Sequence, residues 1–249
     1  MEAPVVELTG IKKSFGPVDV LKGIDFAAYA GKVTALVGDN GAGKSTLIKG
    51  LAGVQPYDEG VVRFAGQEVE IRDPREASSL GIEVVYQDLA LCENLDIVKN
   101  MFLGHEELRT GTLHEASMEL QATKALQSLS VRTVKSVRQR VSSLSGGQRQ
   151  TVSIARSILR EAKLVILDEP TAALGVAQTE QVLNLVRRLA DHGVAVIMIS
   201  HNLGDVFRVA DNIAVLYLGR MTAHLSTSET DNAEVVAYIT GAKTQEGSN

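Results

Sequence analysis

Apolar and polar positions follow the periods of an α/β protein. Short apolar runs predict β-strands, which in chain order are Val5–Leu8, Leu21–Phe26, Val33–Val37, Val61–Phe64, Glu68–Ile71, Ile82–Tyr86, Leu164–Leu167, Val194–Ile199, Ile213–Leu218 and Met221–Leu225. Helical spacing of apolar residues predicts α-helices, which are Leu47–Leu51, Pro74–Leu80, Asp96–Leu103, His114–Leu129, Arg149–Leu159, Val182–Leu189, Leu203–Ala210 and Ala233–Ile239. Strands that alternate with helices favour a parallel sheet, preceded here by antiparallel β structure.

Several elements carry their own boundary signals. Asp73 before Pro74 is a helix N-cap followed by proline at the first helical position, and Gly81 ends that helix. Gly53 stands where a left-handed residue terminates the preceding helix. In the helix at His114–Leu129, one apolar stripe is predicted, formed by Leu120, Ala125, Leu126 and Leu129. The unbroken run Leu164–Leu167 is typical of a central parallel strand that is covered on both faces.

Composition narrows the class of protein. The chain has 249 residues, of which 45% are hydrophobic and 22% charged, so we expect one globular domain, with room for a sub-domain. A net charge of −5 without a dense basic run argues against nucleic-acid binding. The single Cys92 excludes an intrachain disulfide and is expected to be a small, buried or half-buried apolar residue. Met1–Pro4 does not resemble a secretory signal, and no apolar run is long enough to span a bilayer.

One glycine-rich stretch lies between a predicted strand and a predicted helix and fits the pattern G-x-x-x-x-G-K-[ST]. Its residues are Gly38, Asp39, Asn40, Gly41, Ala42, Gly43, Lys44, Ser45 and Thr46. In this setting the backbone N–H groups and the helix N-terminus can surround a polyphosphate. We expect Lys44 to reach the β- and γ-phosphates and Ser45 to ligate Mg²⁺. A dinucleotide fingerprint starting at Gly41 fails, because its sixth position is Thr46; an ordinary glycine-rich turn is the other alternative.

Polar residues follow three other predicted strands, at the edge of the sheet where α/β proteins bind ligands. Asp168 is expected to hold Mg²⁺, and Glu169 to orient or deprotonate the attacking water. His201 is placed to donate a hydrogen bond to the γ-phosphate. Gln87 is placed to contact Mg²⁺ or the attacking water, although a plain surface glutamine fits the sequence about as well.

The local sequence alone does not assign a function to two further features. Ser145 is a natural N-cap, followed by Gly146, Gly147 and Gln148, so it begins a second anion-binding helix. No strand precedes it, so it is either an ordinary capped helix or meets a phosphate from another direction. Phe15, between Ser14 and Gly16, can stack on an adenine ring or be an ordinary half-buried aromatic residue.

Taken together and in order, these motifs resemble the nucleotide-binding subunit of an ABC transporter. They are the phosphate loop Gly38–Thr46, Gln87, the signature Leu144–Gln148, the Walker B run Leu164–Glu169 and His201, with Phe15 at the adenine-stacking position. The resemblance covers the chain to about Leu225. Three segments, Gly53–Gly60, Asp88–Leu95 and Thr171–Val176, further resemble single-cassette ATPases of ribose-, xylose- and fructose-type importers.

The resemblance implies a P-loop NTPase fold, with a parallel-sheet ATP-binding core, an N-terminal antiparallel β part and an inserted helical sub-domain. Residues 1–87 and 160–225 are expected to form the core, residues 88–159 the helical sub-domain, and residues 226–249 a polar tail. In this family two cassettes stack head to tail, so Ser145 and Gly147 are expected to contact the γ-phosphate bound by the other copy. Gly175 stands where the family usually has aspartate, and we assign it no coupling role.

The implied function is ATP hydrolysis, with Mg²⁺, as the motor of a monosaccharide importer. The implied partners are a second copy of the chain, transmembrane permease subunits and, indirectly, a periplasmic sugar-binding protein. The implied location is the cytoplasmic face of the cell membrane. Residues Leu89–Leu103 are expected either to dock on the permease or to be sub-domain core. The alternatives are a soluble ABC-type ATPase acting on DNA or ribosomes, and a regulatory nucleotide-binding module without turnover.

Overall fold

The structure is a computed structural model that describes residues 3–109, 111–129, 131 and 134–244. Its strands are β1 (Val6–Phe15), β2 (Val18–Ala28), β3 (Val33–Val37), β4 (Glu59–Phe64), β5 (Gln67–Val69), β6 (Ile82–Val85), β7 (Leu108–Arg109), β8 (Thr112–Leu113), β9 (Leu164–Asp168), β10 (Ala195–Ile199), β11 (Asn212–Tyr217) and β12 (Arg220–Ser226). Its α-helices are α1 (Lys44–Leu51), α2 (Pro74–Leu80), α3 (Ile97–Phe102), α4 (Glu115–Ser128), α5 (Gly146–Leu159), α6 (Val176–Asp191), α7 (Leu203–Val209) and α8 (Asn232–Ile239). The fold is therefore α/β, as predicted.

A six-stranded sheet in the order β12-β11-β3-β10-β9-β6 forms the centre of the molecule. Its first five strands in chain order, β3, β6, β9, β10 and β11, run parallel, and β12 returns antiparallel to β11. The carboxyl ends of the parallel strands consequently share one edge of the sheet. A second, antiparallel sheet has the order β2-β1-β4-β5.

Alternate residues of the central strands enter two hydrophobic cores on opposite faces of the sheet. Val165 and Leu167 of β9 belong to the core formed with the helices α3 to α6. Leu164 and Ile166 belong to the core formed with the antiparallel sheet and with α1. This alternation follows from the period of two in a β-strand, and it explains why β9 has to be apolar at every position.

The insertion between β6 and β9 is mainly helical, and α3, α4 and α5 pack against one another. An ion-pair cluster around Arg138 joins two of these helices. Its guanidinium lies 2.8 Å from Glu119 and 3.0 Å from Glu115, both on α4, and 3.7 Å from Asp96, which caps α3. The short hairpin of β7 and β8 is part of this insertion and was not predicted.

Most predicted elements are confirmed, and two local predictions are wrong. The first strand does not stop at Leu8, because β1 continues to Phe15 through an irregular register between Leu8 and Ile11. Leu120 is 55% exposed and lies outside the buried stripe of α4, which uses Met118 and Ala122 instead. The signature helix, α5, begins at Gly146 directly after its N-cap Ser145, as the capping signal predicted.

After Ser226 the described chain forms a short 3₁₀ helix at Thr227–Glu229 and then α8. Val235 and Tyr238 of α8 are buried in the core that lies on the face of the sheet covered by α3 to α6, called here the helical face. Residues 245–249 of the expected polar tail lie outside the described residues. In the portion of the chain that the structure describes, no helix combines the length and the apolar character required to cross a membrane.

Candidate functional site

The loop from Gly38 to Gly43 connects β3 to α1 and has a backbone that only glycine adopts easily. Gly38 has φ +155°, and a Cβ there would lie 2.2 Å from the carbonyl oxygen of Leu216. Gly43 has φ +109°, and a Cβ there would lie 2.9 Å from Cδ2 of Leu21. Glycine is therefore required at both positions by conformation and by close packing.

The N-terminus of α1 is open to a ligand. No side chain caps it, and its first turn contains no acidic residue. Ser45 in that turn is exposed. The backbone N–H groups and the helix dipole therefore favour an anion at this position.

Lys44 is folded back onto this loop. Its Nζ donates to the carbonyl oxygens of Gly38, at 2.8 Å, and Asp39, at 3.0 Å. Burial lowers the pKa of Lys44, and the nearby charges of Glu169, Asp39 and Asp168 oppose that shift. Phosphate oxygens can replace the two carbonyls as partners of this ammonium group.

Asp168 ends β9 at the edge of the sheet that carries the phosphate loop. It pairs in register with Ile199, the last residue of β10. Burial and the charge of Glu169 raise the pKa of Asp168, whereas Lys44 and Lys49 act in the opposite direction. The carboxylate thus lies in a half-buried site where a cation would stabilise its charged form.

Glu169 and His201 form a close side-chain pair at this edge. Oε2 of Glu169 lies 2.8 Å from Nδ1 of His201. The Glu169 side chain is 17% exposed, whereas that of His201 is 74% exposed. Glu169 has φ +50°, which is unfavourable for a non-glycine residue, and its N–H donates to Ile199 at 3.0 Å. Such backbone strain is common at functional sites.

Gln87 and Phe15 lie on the periphery of this constellation. Gln87 is exposed and follows β6, whose Val85 pairs with Leu167 of β9. The charge of Asp168 also acts on Tyr86, the residue before Gln87. Phe15 ends β1 and is 44% exposed, and Nζ of Lys13 lies 5.6 Å from its ring centroid. A partly exposed ring is available for stacking.

The signature helix is capped as predicted but lies away from the phosphate loop. The N–H of Ser145 donates to the side-chain oxygen of Gln148 at 2.9 Å, and Ser145 Oγ accepts from the Gln148 N–H at 3.4 Å. Residues of α5 belong to the core on the helical face of the sheet, whereas Leu47, Ile48 and Leu51 of α1 belong to the core on the other face. Within one chain α5 and α1 therefore pack on opposite faces of the central sheet.

The donor set at the sheet edge fits Mg²⁺. Among the described residues, no group of three or more His, Cys, Asp or Glu side chains could hold a metal ion without other ligands. Mg²⁺ in nucleotide sites takes one or two protein oxygens and completes its shell with phosphates and waters. The Ser45 hydroxyl, the Asp168 carboxylate and the Gln87 amide oxygen are donors of that kind.

Three contacts at the site were not predicted from the sequence. Lys13 covers part of Phe15, as described above. Thr171, two residues after Glu169, donates to the buried Asp205 of α7 at 2.7 Å. A Cβ at Gly147 would lie 3.0 Å from Cβ of Gln178, so the signature helix packs closely on α6. In the last two contacts the partners lie far apart in sequence, and no local pattern pairs them.

Comparison with known proteins gives one consistent picture. The family model described as ABC transporter matches residues 21–172. A fructose import ATP-binding protein from Rhizobium meliloti is 42% identical, covering 97% of this chain and 96% of that protein. A xylose/arabinose import ATP-binding protein from Sulfolobus acidocaldarius is also 42% identical, covering 95% and 94%. A ribose import ATP-binding protein from Escherichia coli O157:H7 is 37% identical over 96% of this chain but only 47% of that protein.

Solved structures agree with this picture. A nucleotide-free ATP-binding cassette of an ABC transporter superposes with a TM-score of 0.79 at 25% identity, covering 96% of each chain. An ATP-binding cassette in its ADP conformation gives a TM-score of 0.79 at 26% identity, covering 96% of this chain and 95% of that one.

Proposed function

This chain belongs to the ABC transporter family, and we propose that it is the ATP-hydrolysing motor subunit of a monosaccharide importer. The observation that carries the proposal is the close contact of Glu169 with His201, 2.8 Å apart, at the sheet edge that also holds Lys44. The relatives described above are named for import of fructose, xylose or arabinose, and ribose. The reaction is ATP + H₂O → ADP + phosphate.

The phosphate loop and α1 bind the triphosphate. The glycine backbone of Gly38–Gly43 and the uncapped N-terminus of α1 surround the phosphates, and Lys44 exchanges its two carbonyl partners for phosphate oxygens. Thr46 completes the loop at the start of α1. Phe15 stacks on the adenine ring, and its partly exposed face makes this contact possible. These contacts bind and orient the substrate.

Glu169 acts on the attacking water. Its carboxylate accepts a proton from the water as the water oxygen attacks the γ-phosphorus. His201 holds that carboxylate in place through Nδ1 and directs its other ring nitrogen toward the γ-phosphate. Gln87, at the neighbouring strand end, orients the water. The positive φ of Glu169 fixes the carboxylate relative to the end of β9.

Mg²⁺, bound through Ser45, Asp168 and Gln87, would neutralise charge on the β- and γ-phosphates. The raised pKa of Asp168 is consistent with this role, because a cation would stabilise its ionised form.

Two copies of the chain complete each site. Ser145, Gly146, Gly147 and Gln148 lie at the start of α5, which packs on the face of the sheet opposite to α1. In a head-to-tail dimer this N-terminus covers ATP bound by the partner, and the Ser145 hydroxyl and Gly147 N–H contact the γ-phosphate. ATP binding closes the dimer, and hydrolysis reopens it.

Residues 1–225 act as one ATPase domain in this proposal. Residues 1–87 and 160–225 bind ATP, residues 88–159 form the signature sub-domain, and residues 226–249 follow them.

Met101 is fully buried, so it supports the sub-domain core, whereas Leu89 and Leu91 are partly buried and Leu103 is 39% exposed. The permease contact is therefore confined to the exposed part of Leu89–Leu103. Through it the chain is held at the cytoplasmic face of the membrane.

Co-purification and transport separate this proposal from its alternatives. The tagged chain is expressed with the permease subunits of a monosaccharide importer, extracted from membranes and reconstituted in vesicles with a periplasmic sugar-binding protein. We expect permease to co-purify, and sugar-loaded binding protein to stimulate ATP hydrolysis. Sugar-independent hydrolysis stimulated by DNA or ribosomes would favour the soluble ATPase, which the sugar-import relatives do not support; nucleotide binding without turnover would favour a regulatory module.

A further inference from the structure

Tyr57, in the turn between α1 and β4, is attached to the helix that follows the phosphate loop. Its hydroxyl donates to the carbonyl oxygen of Leu47 at 2.6 Å. Its ring occupies the space beside Gly50, where a Cβ would lie 2.0 Å from Cε1 of the ring. Burial raises the pKa of Tyr57, which therefore keeps its proton and remains a donor. These two contacts join the Tyr57 ring to α1.

Asp58, the next residue, is attached to the strand that ends in Phe15. Its N–H donates to the carbonyl oxygen of Lys12 at 2.9 Å. Its carboxylate accepts from the N–H of Ser14 at 2.7 Å and from Nζ of Lys13 at 2.6 Å. Asp58 therefore holds three consecutive residues of β1, and these directly precede Phe15.

Lys13 continues this connection to the aromatic ring. Its Nζ lies 5.6 Å from the Phe15 centroid, which is within the range of a cation–π contact. Its side chain is only 16% exposed, because Asp58 holds it against the strand. Lys13 also pairs in register with Leu21 of β2, the residue that contacts Gly43 of the phosphate loop. The end of β1 is thus next to the loop.

We propose that Tyr57 and Asp58 are positioning residues that set the place of Phe15 relative to the phosphate-binding loop, and so decide how strongly the adenine base contributes to ATP binding. The contacts run from α1 through the Tyr57 ring to Asp58, and from Asp58 through Lys13 to Phe15. The proposal rests on the function above, in which Phe15 stacks on adenine.

The physical basis is that a stacking platform binds a base only at a fixed distance from the site that holds its phosphates. A shift of about 1 Å in a positioned group is sufficient to lose most of its benefit. Stacking of a base on an aromatic side chain changes affinity by about 5- to 150-fold. Displacement of Phe15 should therefore reduce the affinity for ATP by part of this factor, while the phosphates still bind the loop.

The test compares ATP with inorganic tripolyphosphate, which has phosphates but no base. Affinities of both ligands, each with Mg²⁺, are measured by calorimetry on the full chain and on Asp58→Ala, Asp58→Asn and Tyr57→Phe. Phe15→Ala serves as the reference for complete loss of the platform. Glu59→Gln is the matched control, because Glu59 forms the neighbouring exposed ion pair with Lys12, at 2.7 Å, on the same two strands.

We expect Asp58→Ala to reduce the ratio of ATP to tripolyphosphate affinity about tenfold, approaching Phe15→Ala. Asp58→Asn, which keeps an acceptor for Ser14 but loses the charge facing Lys13, and Tyr57→Phe should give smaller losses. Glu59→Gln should leave the ratio unchanged. An unchanged ratio in Asp58→Ala and Asp58→Asn, or an equal loss for both ligands, would overturn the positioning role while leaving the proposed ATPase intact. If the wild-type chain binds ATP and tripolyphosphate with equal affinity, Phe15 does not contribute to binding by stacking on adenine. The proposal would then be wrong as well.

Discussion

Nδ1 of His201 lies 2.8 Å from Oε2 of Glu169, although the two residues follow different strands of the central sheet. The contact exists because β9 and β10 are parallel neighbours in register, with Asp168 opposite Ile199. It holds the carboxylate that we propose as the base beside a largely exposed imidazole. The exposed imidazole is free to meet a ligand that enters from outside the chain.

Replacing Glu169 separates nucleotide binding from turnover. In Glu169→Gln the side chain keeps its size and an acceptor for His201, but it no longer takes a proton from water. We expect kcat for ATP hydrolysis to fall about 10²- to 10⁴-fold, with ATP still bound and the dimer retained. Phosphate release and size-exclusion chromatography with ATP measure the two effects. The control is Glu180→Gln, an exposed residue of α6; hydrolysis near the wild-type rate in Glu169→Gln would refute the assignment of the base.

Asp168 is predicted to lower the stability of the nucleotide-free protein. The pKa of Asp168 is raised in the folded state, mainly by burial. The contribution of this group to the stability of the protein is therefore fully present below its unfolded-state pKa, and it is lost as the pH rises through its folded-state pKa. We therefore expect Asp168→Asn to raise Tm at neutral pH while reducing Mg²⁺-dependent hydrolysis. Each 1 kcal/mol gained corresponds to about 2–4 °C in Tm for a domain of this size.

Asp211→Asn provides the matched control, for which we expect a change in Tm of the opposite sign. Burial acts to raise the pKa of Asp211, but hydrogen bonds from Arg187 and the Val33 N–H outweigh burial and lower it. The contribution of Asp211 to the stability of the protein is present above its unfolded-state pKa, and it is lost as the pH falls through its folded-state pKa. Asp211→Asn should therefore lower Tm at neutral pH. Thermal scans of both variants across the acid range test the pair, and a lower Tm in Asp168→Asn would contradict the account.

Gly50 is predicted to require the absence of a side chain because of Tyr57. Alanine usually favours a helix over glycine by about 1 kcal/mol, but a Cβ at Gly50 would lie 2.0 Å from the Tyr57 ring. Overpacking of this kind costs about 1–3 kcal/mol, so Gly50→Ala should reduce the free energy of unfolding.

A double-mutant cycle provides the control for this prediction. In a Tyr57→Ala background the obstacle is gone, and Gly50→Ala should then stabilise the protein by about 1 kcal/mol. Urea unfolding of the four proteins measures both effects. The same sign of change in the two backgrounds would show that Tyr57 does not decide the outcome.

The sequence predicted the elements whose signals are local. Asp73 caps α2 by accepting from the N–H groups of Arg75 and Glu76, and Gly81 ends that helix with φ +90°, as expected. The apolar run of β9 correctly predicted a central strand, because a strand covered on both faces needs apolar residues throughout. Local chemistry is sufficient for such features.

Other features depend on tertiary packing, which the sequence does not display. Leu120 fits a helical stripe, but α4 turns Met118 toward the core instead. The irregular register between Leu8 and Ile11 belongs to the pairing of β1 with β2, which the sequence of β1 alone does not display. The positive φ of Glu169 and its contact with His201 arise only once two strands are paired. The motif residues were thus predictable, whereas their mutual contacts were not.

The central claim is that each nucleotide is bound between two copies of the chain, and complementation tests it most directly. Lys44→Ala removes the phosphate-binding ammonium group, and Ser145→Arg blocks the signature helix, so each variant alone should be nearly inactive. A heterodimer of the two has one site with an intact phosphate loop from one copy and an intact signature from the other. Equal mixing should therefore restore about a quarter of wild-type ATP hydrolysis. A mixture no more active than the two variants measured separately would contradict the shared site.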